Sequence, residues 1–156
     1  MTWNTNCPAA PHSRESHMTM QFSPNISFPG NATEALRFYH EVFGGELDIM
    51  TYDDMPDMNF PFEPPAGTVA HATLNSGTVY IAGGDAMGPD SPGLASEAYS
   101  FLLQFDNVVE ARDYIVRLTA GGGEVTMAFE KAPWGDYYGQ VTDQFGVVWM
   151  LNAADN

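Results

Sequence analysis

Cysteine is nearly missing from this chain of 156 residues. Cys7 stands alone, which excludes an internal disulfide and leaves no CxxC half of a thiolate metal site. Positive charge is scarce as well. Five Lys plus Arg against twenty Asp plus Glu give a formal net charge of -15, so a nucleic-acid or anionic-membrane role would have to work against repulsion. Both partners are excluded on that ground. No apolar run approaches the roughly 18 to 20 residues that span a bilayer, and the N-terminal stretch lacks the apolar segment of a secretory signal. The expected location is therefore cytoplasmic. Nucleotide and hydrolase fingerprints are also missing: there is no G-x-S-x-G, no P-loop, and no G-x-G-x-x-G after a strand. What the chain does have is core material. With 44% hydrophobic and 13% aromatic residues it can build one well-buried core or two small fused modules.

The few cations are unevenly placed. Arg14 lies in the N-terminal tail, and Arg37, Arg112 and Arg117 fall on expected helices, which leaves Lys131. A pocket made of strands would have almost no fixed positive charge to clamp a phosphate or phosphonate. Neutral or cationic ligands fit better.

Residues 1–20 are polar, show no apolar period and contain Ser16-His17-Met18, which has the look of a cloning scar. They are read as a tag or disordered tail, with His12 and His17 as tag-like residues, and 153–156 as a second tail. From Gln21 the pattern becomes regular. A strand at Asn25–Phe28 is stopped by Pro29-Gly30, and a helix is capped by Asn31 with Glu34 three residues on. Its apolar positions are Ala32, Ala35, Leu36, Tyr39 and Phe43, and Gly44-Gly45 ends it. Strands are expected at Glu46–Tyr52, Thr68–Leu74 and Thr78–Ala82, the last two joined by an Asn75-Ser76-Gly77 turn. The loop from Asp53 to Gly67 is rich in Met and Pro. It reads either as a lid or partner contact, or as a disordered acidic loop.

The second half repeats this order. A strand at Ser100–Phe105 leads to a helix capped by Asn107 with Glu110, which buries Val108, Ala111, Ile115 and Leu118. Strands follow at Glu124–Phe129, Tyr137–Thr142 and Val147–Asn152. Asn31-Ala-Thr-Glu34-Ala35 matches Asn107-Val-Val-Glu110-Ala111, and Gly44-Gly45-Glu46-Leu47 matches Gly122-Gly123-Glu124-Val125, as an internal duplication would produce. Each βαβββ unit leaves one sheet face bare, so two units can place bare faces together around a cavity.

The stretch Asn25-Ile-Ser-Phe-Pro-Gly-Asn31-Ala-Thr-Glu-Ala-Leu-Arg-Phe-Tyr39, then Phe43-Gly-Gly, Trp134-Gly135, Tyr138-Gly139 and Asp143-Gln-Phe-Gly-Val-Val-Trp149-Met-Leu-Asn152, resembles the PhnB-like branch of the vicinal oxygen chelate superfamily. That superfamily also holds glyoxalase I, bleomycin-resistance proteins and extradiol dioxygenases. The likeness covers about Gln21 to Asn152. It implies an α+β fold of two paired βαβββ modules, about 21–86 and 97–152, forming a cup-shaped mixed β-sheet with helices outside in one domain spanning 21–152. It also implies, in most cases, a homodimer.

Metal-dependent relatives place His, Gln or Glu on the first and last strands of each module. Here those positions fall on Ser23, on Ile81 or Ala82, on Ser100 and on Met150, with Gln21 and Gln104 nearby, and none is a good ligand for a divalent ion. No metal and no other cofactor is expected. The methyltransferase label that some members of this branch carry has no counterpart here, since a cofactor-binding glycine fingerprint is missing.

Two residues of the first module have chemical potential: His71 and Asp85 can act as an acid–base pair or a partial metal site, or they can be a hydrogen-bonded strand histidine and a turn aspartate. His40 reads as a solvent-exposed helix residue. In the second module, Trp134, Tyr138, Gln140, Met150 and Gln104 are the candidate ligand-binding residues, the aromatics through stacking on a planar or cationic molecule. Tyr137 should point the other way. Trp149, with Val147 and Leu151, should face the helices, and Val148 and Met150 the cup. The leading expectation is a metal-free dimer that binds a small, mainly apolar, neutral or cationic molecule. Two alternatives stay open: a lyase, isomerase or dioxygenase-like enzyme using His71 and Asp85, and a structural or regulatory dimer with a filled cup.

Overall fold

Period-two burial makes the strands and period-3.6 burial makes the helices. In the last strand Trp149, Leu151 and Ala153 are buried while Val148, Met150 and Asn152 are half-buried. In the first helix Ala32, Ala35, Leu36, Tyr39 and Val42 form one buried stripe. A computed structural model describes residues 20–88, 90 and 93–155. The tail residues Cys7, His12, Arg14 and His17 lie outside the described residues.

The elements in chain order are β1 (Asn25–Phe28), α1 (Ala32–Phe43), β2 (Glu46–Thr51), a short 3-10 turn (Tyr52–Asp54), β3 (Val69–Asn75) and β4 (Tyr80–Asp85). The second half gives β5 (Phe101–Phe105), α2 (Val108–Thr119), β6 (Glu124–Lys131), β7 (Tyr137–Thr142) and β8 (Val148–Ala153). They form two four-stranded sheets, ordered β1-β4-β3-β2 and β5-β8-β7-β6. Within each, the first strand runs parallel to the last and the other pairs are antiparallel. The duplicated βαβββ order expected from the sequence is present, and the class is α+β.

Several local expectations change: β8 runs on to Ala153, one residue into the expected tail, β6 runs on to Lys131, and in α2 Ala111 and Leu118 are buried while Val108 and Ile115 are half-buried. β4 begins at Tyr80 rather than Thr78, because Ser76 N–H bonds the Val79 carbonyl and keeps those residues in the turn. It then runs on to Asp85, which is therefore a strand residue. Asn31 makes no side-chain cap on α1, whereas Asn107 accepts from Glu110 N–H at 2.8 Å as a true cap on α2. Asp85 takes over at α1: its carboxylate accepts from Ala32 N–H at 2.9 Å and from Val69 N–H at 2.8 Å, tying the helix start to the start of β3.

Within one chain the modules meet through their helices. Tyr39 of α1 packs edge-on against Trp149 of β8, Phe43 of α1 packs on Trp149 and stacks on Tyr114 of α2, and Arg117 of α2 donates to the Val42 carbonyl. One continuous core results. Asp143, 3% exposed, holds the seam from the β7–β8 turn. Its carboxylate accepts from the Tyr39 hydroxyl at 2.7 Å, Trp149 Nε1 at 2.9 Å, Phe145 N–H at 2.9 Å and Val147 N–H at 3.0 Å. A buried carboxylate is tolerable only when it is so fully bonded. Each sheet packs one face against its module's helix and leaves the other face bare.

Candidate functional site

Strand alternation assigns each candidate to a face. On the second sheet, Leu102 and Gln104 of β5 pair with Met150 and Asn152 of β8, which pair with Gln140 and Tyr138 of β7. These side chains share the face turned away from Trp149 and the helices. Gln104, Tyr138, Gln140 and Met150 are thus brought together. Trp134, from the β6–β7 connection, joins them edge-on to Tyr138 with ring centres 5.6 Å apart. The Tyr138 hydroxyl donates to Met150 Sδ at 2.7 Å, and Gln140 Nε2 donates to Thr126 Oγ1 at 3.0 Å. Tyr137 points to the helix side, where the Arg112 guanidinium lies 5.9 Å from its ring centre.

The segment leading into β5 borders two adjoining hollows. One, of about 450 Å³, lies between the modules and is lined by residues of β1, among them Asn25 and Ser27, with Leu94, Phe101 and Val147. The other, of about 310 Å³, is floored by Gln140 and Met150 and walled by residues 96–98. Tyr99, Ser100 and Val148 line both. Among the described lining residues the one charged side chain is Glu97. Tyr99 is the contributor that sequence reasoning missed. Its signal was an aromatic residue in a connecting segment two positions before a strand.

The first module's candidates are not brought together. His71 is exposed and sits on the bare face of β3, opposite Met50. Asp85 shares its parity with Gly83, which pairs with buried Ala72, and its carboxylate is turned to Ala32 N–H on the helix side. The two side chains lie on opposite faces of one sheet. His40 is exposed on α1, with Nε2 3.1 Å from the Gly45 carbonyl.

The bare-face positions on the first and last strands of each module carry Asn25, Ser27, Tyr80, Ala82, Gly84, Leu102, Gln104, Val148, Met150 and Asn152. They supply amides, a hydroxyl, a phenol, a thioether and alkyl groups, with no imidazole, thiolate or carboxylate among them. Ser23 and Ser100 precede their strands, and Ile81 pairs with Leu74 on the helix side. Among the described residues no three His, Cys, Asp or Glu side chains gather as a ligand set.

A sequence profile described as the glyoxalase/bleomycin resistance protein/dioxygenase superfamily matches residues 21–151. The chain belongs to this superfamily. Its similarity to individual members is consistent with that placement. Protein YjdN of Escherichia coli (strain K12) is 34% identical over 145 residues, covering 85% of this chain and 95% of YjdN. The crystal structure of protein PA1353 from Pseudomonas aeruginosa matches with a TM-score of 0.71 and 32% identity, over 87% of this chain and 98% of that one. A Bacillus cereus structure described as a putative 3-demethylubiquinone-9 3-methyltransferase, PhnB protein, matches with a TM-score of 0.69 and 25% identity, over 86% of this chain and all of its own. Superfamily membership fixes the scaffold and leaves the chemistry to the site. No helix among the described residues is long and apolar enough to cross a membrane.

Proposed function

We propose that this superfamily member is a cytoplasmic, metal-free, PhnB-like homodimer whose cup binds a small, mainly apolar molecule that is neutral or cationic. The observation that carries this reading is the lining of the two hollows: Val148, Met150, Phe101, Leu94 and Tyr99 supply apolar and aromatic surface, Gln140 and Asn25 supply amides, and Glu97 supplies the one charge. Among the described lining residues no basic group is there to hold an anion.

The dimer completes the cup. β1 and β5 are edge strands, and the bare faces of both sheets lie outside the chain's own core. A second copy on a two-fold axis sets the bare face of one sheet beside that of the other and covers those edges.

A thermal-shift screen with matched small molecules of charge +1, 0 and -1 tests the reading, alongside metal analysis of protein purified without chelators. Neutral and cationic members should raise the melting temperature, and Val148→Trp, which intrudes on both hollows from the wall they share, should abolish the rise. Stabilisation by anions alone, or stoichiometric metal that raises stability, overturns it.

A further inference from the structure

We propose a second binding site, for a small organic cation of the quaternary ammonium type, on the loop between β2 and β3. This site is separate from the hollows on the second sheet and does not depend on how they function.

The local composition is unusual for a connection. Residues 52–67 hold Tyr52, Phe60, Phe62, Met55 and Met58 together with Asp53, Asp54, Asp57 and Glu63, and no Lys, Arg or His. The structure gathers the three rings. Tyr52 stands nearly perpendicular to Phe60, at 4.9 Å and 85°, and to Phe62, at 5.5 Å and 89°. Phe60 and Phe62 lie 5.7 Å apart and within 26° of parallel. Beside them is an open hollow of about 510 Å³, whose lining also includes Asp53, Met55, Met58 and Glu63. Phe62 is 37% exposed and Met58 59% exposed, so ring and thioether surface faces water.

The loop is held in shape from both ends. Asp54 accepts from the Thr51 N–H and hydroxyl, both at 2.8 Å, and Asp53 accepts from Gly67 N–H at 2.6 Å across the loop base. Tyr52 N–H bonds the Thr68 carbonyl at 3.0 Å. Pro56, Pro61, Pro64 and Pro65 further restrict the backbone. The aromatic surface is therefore pre-organised and costs little to order on binding.

Chemistry selects the ligand. Ring faces attract a cation through their quadrupole, a methylated ammonium also gains apolar contact with the rings and thioethers, and the carboxylates of Asp53 and Glu63 balance its charge. An anion is repelled by that same set. A neutral apolar molecule gains nothing from the acids.

The test is an NMR titration of the full chain with choline, following the methyl groups of Met55 and Met58, beside its uncharged carbon analogue 3,3-dimethylbutan-1-ol. Saturable shifts at these methyls with choline, and binding about tenfold weaker for the analogue, support the site. Phe60→Leu should weaken choline about tenfold. Glu63→Gln, at an exposed position outside the ring cluster, should weaken choline severalfold and leave the analogue unchanged, which keeps the test decisive if Phe60→Leu disturbs the loop. Val148→Trp, which intrudes on the hollows on the second sheet, should leave choline binding unchanged. Equal response to choline and its analogue, no saturation up to about 100 mM choline, or loss of binding in Val148→Trp overturns the proposal.

Discussion

The Tyr39 hydroxyl donates to the Asp143 carboxylate at 2.7 Å, joining α1 of the first module to the β7–β8 turn of the second. Burial, and next the neighbouring negative charge, push the Tyr39 hydroxyl above its ordinary value of 10.0. The proton is thus held more tightly in the fold than in the unfolded chain. That contribution is fully present below pH 10 and is lost as pH rises beyond it, because the unfolded chain releases the proton and the fold does not. Urea unfolding should show stability falling above about pH 10 more steeply for the wild type than for Tyr39→Phe. At pH 7, Tyr39→Phe should cost about 1–3 kcal/mol and Asp143→Ala more, since it strands every donor that the carboxylate holds.

The helix starts should respond unequally to the same substitution. Asn107→Ala removes a working cap and should cost about 1 kcal/mol, whereas Asn31→Ala should fall within about 0.5 kcal/mol. Asp85→Ala should be the damaging change at α1, on the order of 3 kcal/mol, because two backbone N–H groups lose a charged acceptor. Chemical denaturation of the three variants checks the order. Equal losses at Asn31 and Asn107 would refute the assignment of the α1 cap to Asp85.

That inequality shows what the sequence could reveal. Cap residues and helix-stop glycines at matching offsets disclosed the duplication, because they act locally. Asn31 and Asn107 read alike, however, and the difference between them comes from Asp85, which reaches α1 from a strand 53 positions away. The same limit applies to His71 and Asp85, whose types allow a dyad and whose strand parities separate them. Alternation did reveal the shared face of Tyr138 and Gln140, since period two is a property of the strand itself. Which sides of the two modules meet depends on Tyr39, Phe43 and Trp149 packing together, and no local pattern carries that information.

His71→Ala should leave the fold unchanged, with a stability change within about 0.5 kcal/mol. A loss of ligand response in that variant would return His71 to the site.

If the bare faces assemble across a two-fold axis, Leu102, 58% exposed on β5, lies in the joint. Leu102→Asp adds a like charge to an already acidic surface and should convert the dimer to monomer in sedimentation velocity. Unchanged sedimentation would remove the shared cup.

Gly45→Ala should be severely destabilising. Its φ is +89°, and an added Cβ would come within 2.3 Å of the Asn75 carbonyl oxygen, backbone that cannot yield without shifting the β3–β4 hairpin. Thermal unfolding should place the loss at about 2 kcal/mol or more.

The Tyr39–Asp143 bond also bears on how the molecule assembles in time. Its partners are 104 positions apart, whereas the β3–β4 and β7–β8 hairpins close over a few residues. Short loops close first because their entropy cost is smaller, so the hairpins precede the joint between modules. A joint that forms after the rate-limiting step governs escape from the native state and not arrival at it. Tyr39→Phe should therefore accelerate unfolding while the refolding arm of the chevron keeps its place. The duplicated chain would owe its kinetic persistence to the contacts that neither half possesses alone.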